Sequence, residues 1–155
     1  MLKDKTPDTR DQIVWKWTKG AATTLGELGD PLGDDAYALC FYAPSDTLLS
    51  GSVIPSGGLC RGAPCWAALG GKGFKYVDKD GTSGGVAKAS LVAGAAAKAK
   101  IVVKAKGGAV TLPALPVSLP LRVQLQGTNG QCWGATYEAA GQLENSAAQF
   151  KGKGN

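Results

Sequence analysis

Period-2 alternation of apolar and polar residues runs through most of this chain. From Gln12 onward, Ile13, Trp15 and Trp17 fall on one face and Val14, Lys16 and Thr18 on the other, the pattern of a half-buried strand. Residues 36–42 have little polar character on either face, so they predict a strand lying centrally in its sheet. Pro44-Ser45-Asp46 turns the chain into a third strand over 48–54. Residues 98–106 alternate most cleanly, with Ala99, Ile101, Val103 and Ala105 facing in and Lys98, Lys100, Lys104 and Lys106 facing out. Leu121, Val123 and Leu125 alternate with Arg122, Gln124 and Gln126, and Thr128-Asn129-Gly130 predicts a hairpin leading into residues 132–137. Shorter strands are expected over 65–69, 74–77 and 87–91, and a loop with one helical turn near Leu25-Gly26-Glu27. About eight to ten short strands with regular turns predict an all-β fold, an antiparallel β-sandwich, with a β-barrel as the alternative.

The pattern also repeats. Cys65-Trp66 and Cys132-Trp133 are each followed two residues later by alanine, Ala68 and Ala135, and then by Phe74-Lys75 and Phe150-Lys151. Asp4-Lys5 precedes Gly20-Ala21-Ala22 with the spacing by which Asp78-Lys79 precedes Gly94-Ala95-Ala96. Ala87, Ala89 and Leu91 align with Ile13, Trp15 and Trp17. The expectation is one pseudo-duplicated β domain over residues 1–155, copy one covering 3–75 and copy two 76–151, with the Cys-Trp pair marking the same inner strand in each.

Composition narrows the setting. At 44 % hydrophobic and 19 % charged residues the chain has a core to bury, and its 23 glycines and 8 prolines suit many short elements. Four cysteines beside a single Met predict two disulfides and an oxidising compartment. Cys60–Cys65 would close a small loop and leave Cys40–Cys132 to tie the copies together, the preferred pairing; Cys40–Cys60 with Cys65–Cys132 is the alternative. A bridge between the halves would stabilise by about 3–4 kcal/mol through loop entropy. The cysteine spacing does not favour zinc, and neither a metal nor another cofactor is expected. No stretch approaches the ~20 apolar residues of a membrane span. The chain opens Met1-Leu2-Lys3-Asp4, polar from the start, so an exported form is expected to be a mature or excised one, with Met1 native or added.

Candidate chemistry is sparse. With no histidine, Ser-His-Asp and Cys-His systems are excluded, and the chain reads as a non-enzyme. The acids Asp30, Asp34 and Asp35 sit in a Gly/Pro-rich loop and read as solvated. Asp78-Lys79-Asp80-Gly81-Thr82 opens like a calcium loop, but the twelfth position is Ala89, so a turn is the better reading. The tryptophans are expected to pack in the core, Trp66 and Trp133 against disulfides, rather than to form a sugar-stacking platform. The net charge of +5 lies entirely in residues 76–155. Lys98, Lys100, Lys104 and Lys106, with Lys88 and Arg122 nearby, form a candidate binding face for an anionic polymer; the competing reading is that lysines keep a face or edge soluble and unpaired. No aromatic residue lies between Lys79 and Arg122, which argues against nucleic acid.

Tyr37-Ala38-Leu39-Cys40, Gly57-Gly58 to Cys65-Trp66, Gly73-Phe74-Lys75-Tyr76, residues 94–106, Val123-Gln124-Leu125, Asn129-Gly130-Gln131-Cys132 and Gln149-Phe150-Lys151 together resemble a poorly characterised, internally duplicated domain family of exported bacterial proteins. The resemblance implies secretion and disulfides and supplies no catalytic residues. The expected function is that of an extracellular or cell-surface structural module. Self-association is the leading expectation, head to tail by strand addition, with Asp4, Lys5, Phe150 and Lys151 as candidate assembly segments. A carbohydrate- or cell-surface-binding module, with polysaccharide as partner, is the alternative.

Overall fold

The strongest alternating segments form the spine of the molecule. The computed structural model describes residues 1–154. Its strands are β1 (Leu2–Lys3), β2 (Gln12–Thr18), β3 (Tyr37–Tyr42), β4 (Leu48–Ile54), β5 (Leu59–Cys60), β6 (Ala63–Pro64), β7 (Trp66–Ala68) and β8 (Gly73–Val77). They continue with β9 (Val86–Val92), β10 (Lys100–Lys106), β11 (Leu121–Gly127), β12 (Cys132–Tyr137), β13 (Gln142–Asn145) and β14 (Gln149–Gly152). The expected helical turn is α1 (Leu25–Leu28). Thr24 caps it: its hydroxyl accepts from the Glu27 N–H while the Glu27 carboxylate accepts from the Thr24 N–H, satisfying donors at both ends of the first turn.

The strands form two main antiparallel sheets. The larger runs β13-β14-β1-β2-β10-β9-β8-β7, the smaller β12-β11-β3-β4, and β5-β6 make a separate small hairpin. Both main sheets end in open edges, so the fold is a sandwich and not a barrel. As expected from its apolar pattern, β3 is central in its sheet, between β11 and β4. The sheets meet over an apolar layer: Ile13, Trp15, Ala89, Leu91, Ile101 and Val103 from one side, Leu39, Phe41, Val123 and Leu125 from the other, all buried. At one end Trp66 stands between Tyr37 and Tyr76, with ring centroids 5.7 and 5.1 Å away, and its indole N–H donates to the Pro55 carbonyl at 2.8 Å.

Three differences from the sequence reading have local causes. The lysine strand starts at Lys100 rather than residue 98: Ala97 adopts a φ of 64° and Lys98 N–H donates to the Ala95 carbonyl, so Lys98 sits in a turn. Val86 rather than Ala87 shares the row of Ala105 and Ile13, because a β-bulge between Lys104 and Ala105 shifts the register. Trp15 and Ala89 still flank Val103, and Trp17 and Leu91 still flank Ile101. The expected boundary between residues 75 and 76 falls inside β8 (Gly73–Val77), and both halves contribute strands to both sheets. The two Cys-Trp strands occupy different sheets, β7 at the rim of the larger and β12 at the rim of the smaller.

The cysteine pairing needs a correction. Cys60–Cys65 is a disulfide, joining the end of β5 to the residue between β6 and β7. The expected Cys40–Cys132 bridge does not form; both are free thiols, Cys40 buried and Cys132 exposed. Cys40 pairs with Gln124 and Cys132 with Gln126, so β11 lies between them. Two strand spacings amount to ~9.5 Å, beyond the ~7 Å that a disulfide tolerates between Cα atoms. Burial raises the pKa of the Cys40 thiol above its ordinary value, only partly offset by a hydrogen bond with Tyr42, which keeps it protonated and unreactive. Trp133 therefore has no disulfide to pack against: it turns inward while the Cys132 thiol turns outward, and its indole N–H donates to the Thr23 hydroxyl at 3.3 Å.

Candidate functional site

Five neighbouring strands of the larger sheet, β2, β10, β9, β8 and β7, contain no aspartate or glutamate. Their inward positions feed the core, so period 2 sends Lys16, Lys75, Lys88, Lys100, Lys104 and Lys106 to the opposite, solvent face, where all six are exposed. Three of the four residues singled out from the sequence, Lys100, Lys104 and Lys106, lie on this face; Lys98 is exposed in the turn before it. Lys16, Lys75 and Lys88 join them. The alternation around each was visible in sequence, but which strands lie side by side was not.

The sheet order bears on why the lysines are there. Edge strands carry lysine to discourage pairing with other chains. β10 is bonded on both sides, to β2 and to β9, and needs no such protection. Lys88 and Lys104 stand directly opposite each other, with Cβ atoms about 5 Å apart, a like-charge pairing that opposes folding. The two ion pairs among the described residues, Arg61–Asp80 and Arg122–Asp46, lie elsewhere. Arg122 belongs to the smaller sheet, where it also stacks over the Tyr42 ring at 4.9 Å.

Two shallow troughs flank the Lys88–Lys104 pair. One, about 330 Å³, is lined by Gln12, Val14, Lys88, Lys104 and Lys106 among others. The other, about 370 Å³, includes Lys75, Val77, Lys79, Lys100 and Val102. Val14, Val77 and Val102 are half-buried, so each trough has an apolar floor between cationic walls.

The remaining candidates have structural roles. Trp15, Trp66 and Trp133 are buried, and the ring of half-buried Trp17 lies so close over Gly20 that a Cβ there would stand 1.9 Å from it. Asp30 and Asp35 bind their own loop: Asp35 accepts from the Asp30 N–H and the Thr128 hydroxyl, and Asp30 from the Leu32 N–H. The Asp78 carboxylate accepts from the N–H of Asp80 and from both the N–H and hydroxyl of Thr82, as a turn-former does. At the chain ends, β1 pairs on one side with β14, Leu2 opposite Phe150, and on the other with β2. Phe150 is buried, Lys151 and Asp4 are exposed, and the Lys5 N–H donates to the Asp11 carboxylate. Strand addition at this site by a second copy would therefore have to displace a strand that the chain already supplies.

Burial works against the charge on Asp78, but the Thr82 hydroxyl and the N–H groups of Thr82, Asp80 and Gly81 outweigh it and hold the carboxyl below its ordinary pKa. A carboxyl whose pKa is lower folded than unfolded contributes stability above the unfolded value and loses it as pH falls through the folded one. Acid unfolding curves should therefore show wild type losing stability below the ordinary carboxylate range, and Asp78→Asn should be less stable at neutral pH with a flatter acid limb.

No known protein family, curated protein sequence or solved structure matches this chain.

Proposed function

We propose that this protein is a non-enzymatic extracellular binding module that docks on acidic polysaccharide through the outer face of its larger sheet. The observation that carries the reading is the acid-free run of five strands with six exposed lysines, two of them held directly opposite each other. A polyanion laid across the face would relieve that repulsion and gain the summed field of the lysines. The valine floors suit the apolar C–H faces of sugar rings, and no aromatic side chain points outward from these strands to stack on bases, which favours a glycan over single-stranded nucleic acid. The Cys60–Cys65 disulfide is compatible with an oxidising compartment, and no helix is long and apolar enough to cross a membrane.

The test is binding to immobilised polyuronate and sulfated dextran, with neutral dextran as reference, across a salt series. Wild type should bind both acidic polymers and weaken steeply with salt, and Lys88→Glu/Lys104→Glu should lose about tenfold or more of its affinity. Lys153→Glu, outside these strands, should bind like wild type. Binding that ignores the double reversal, or that is equal on neutral dextran, would overturn the reading.

A further inference from the structure

We infer that the outer edge of β4 is a self-complementary interface that joins two copies of this chain into one continuous sheet. The argument starts with hydrogen-bond phase. Gly127 N–H donates to Gln131 O on the β12 side, and Thr128 N–H to Ala36 O on the β3 side. In an antiparallel ladder successive residues turn their N–H and C=O to opposite neighbours. Gln124 thus faces β3 and bonds Cys40, Leu39 and Phe41 face β4, and Ser52 and Ser50 face back to them. The N–H and C=O of Gly51 and Val53 are left pointing away from the sheet, while the bulge at Leu49 interrupts this phase at the other end of the strand. Among the described residues no backbone group of the chain pairs with them.

The sequence of the strand is chemically palindromic. Leu48-Leu49-Ser50-Gly51-Ser52-Val53-Ile54 reads apolar, apolar, Ser, Gly, Ser, apolar, apolar in either direction. Antiparallel pairing of two copies about Gly51 sets Gly51 against Gly51, Ser50 against Ser52 and Leu49 against Val53, every residue meeting its chemical equal. That is the arrangement a two-fold interface requires. The outward groups of Gly51 bond their own symmetry mates, and Val53 is set opposite Leu49. Leu49 and Val53 are 40 and 56 % exposed and gain each other as apolar cross-strand neighbours. β4 carries no charge and no proline.

The other sheet edges lack this combination. β7 is three residues long, and β13 is short, bulged and carries Glu144. Along β12 the chain beyond β14 runs close by, Gly154 lying against Ala135 and Thr136. A two-fold axis through Gly51 stands perpendicular to the sheet, so both copies turn their lysine faces the same way and double the width of the basic surface. The interface itself does not depend on what that surface binds.

Sedimentation equilibrium from about 1 μM to about 1 mM tests it. Wild type should reach twice the 15.8 kDa chain mass and stop there. Gly51→Pro removes an outward N–H without touching the β3 ladder. Gly51 lies outside the left-handed region, and a Cβ there meets its nearest atoms at 3.5 and 3.8 Å, so the fold should accept proline. Gly51→Pro should remain monomeric with an unchanged circular dichroism spectrum, as should Val53→Lys, which needs no backbone change. Leu143→Lys, an equally exposed apolar site on β13, should still dimerise. A wild type that stays monomeric at the highest concentration, or folded Gly51→Pro and Val53→Lys proteins that still dimerise, would overturn the inference. Lys88→Glu/Lys104→Glu should dimerise normally, so failure of the interface and failure of the polysaccharide reading give different results.

Discussion

Trp66→Ala is expected to lower stability by roughly 3–5 kcal/mol, among the largest effects of any single truncation in the core. The indole is 2 % exposed and lies in aromatic contact with Tyr37 from the smaller sheet and Tyr76 from the larger, so it joins the two layers. Truncation opens a cavity, removes both ring contacts and takes the indole N–H away from the Pro55 carbonyl. Tyr37 is itself tied down, its hydroxyl donating to the Leu28 carbonyl at the end of α1. Loss of Trp66 should therefore loosen the loop over 29–35 as well as the sandwich. Urea unfolding measures the first effect and amide exchange at residues 28–37 the second. A loss below ~1.5 kcal/mol would mean that the layers are held elsewhere.

Gly73→Ala should be nearly as damaging, for an unrelated reason. Gly73 has a φ of 145°, and a Cβ built there would stand 1.9 Å from the Leu91 carbonyl oxygen of the adjoining strand. That oxygen belongs to a paired strand and cannot step aside without breaking the β8–β9 ladder. Conformational strain and the steric collision add, for an expected loss of about 2–4 kcal/mol. Gly62 provides the comparison. It also has a positive φ, 82°, but nothing lies within 4 Å of its missing Cβ, so Gly62→Ala should lose only about 1 kcal/mol. Near-equal melting temperatures for the two variants would contradict the steric argument.

These sites also show what could be read from the chain before folding. The inward and outward parity of β2, β10 and β11 follows directly from alternation, because one buried face of a sheet forces period 2; β4 runs against it, with Ser50 and Ser52 buried and Leu49 and Val53 exposed. The all-β sandwich follows from the number of such strands. Sheet order is a different matter: local alternation is the same for a lysine strand at the rim and one in the middle. The meaning of Lys100 and Lys104 changed once β10 lay between β2 and β9. The same blindness to order misplaced a disulfide, since nothing near Cys40 or Cys132 reveals that β11 separates them. β1, β13 and β14 escaped notice because two to four mostly polar residues carry no measurable period. Lys16 and Lys75 are isolated in sequence, and only the register gathers them beside Lys88 and the lysines of β10.

The pairing of β1 with β14 carries a mechanical consequence. Leu2 lies opposite Phe150 and Lys3 opposite Gln149, so the strands run antiparallel and the chain leaves them on either side of one pair of hydrogen-bonded residues. Tension applied through positions 1 and 151 would open that ladder from its end, one contact at a time, as a zip is drawn. On its other side β1 is bonded to β2, which shares the first load, while the strands from β10 to β7 lie behind it. A module tethered this way would yield early at its seam while its lysine-bearing strands kept their shape.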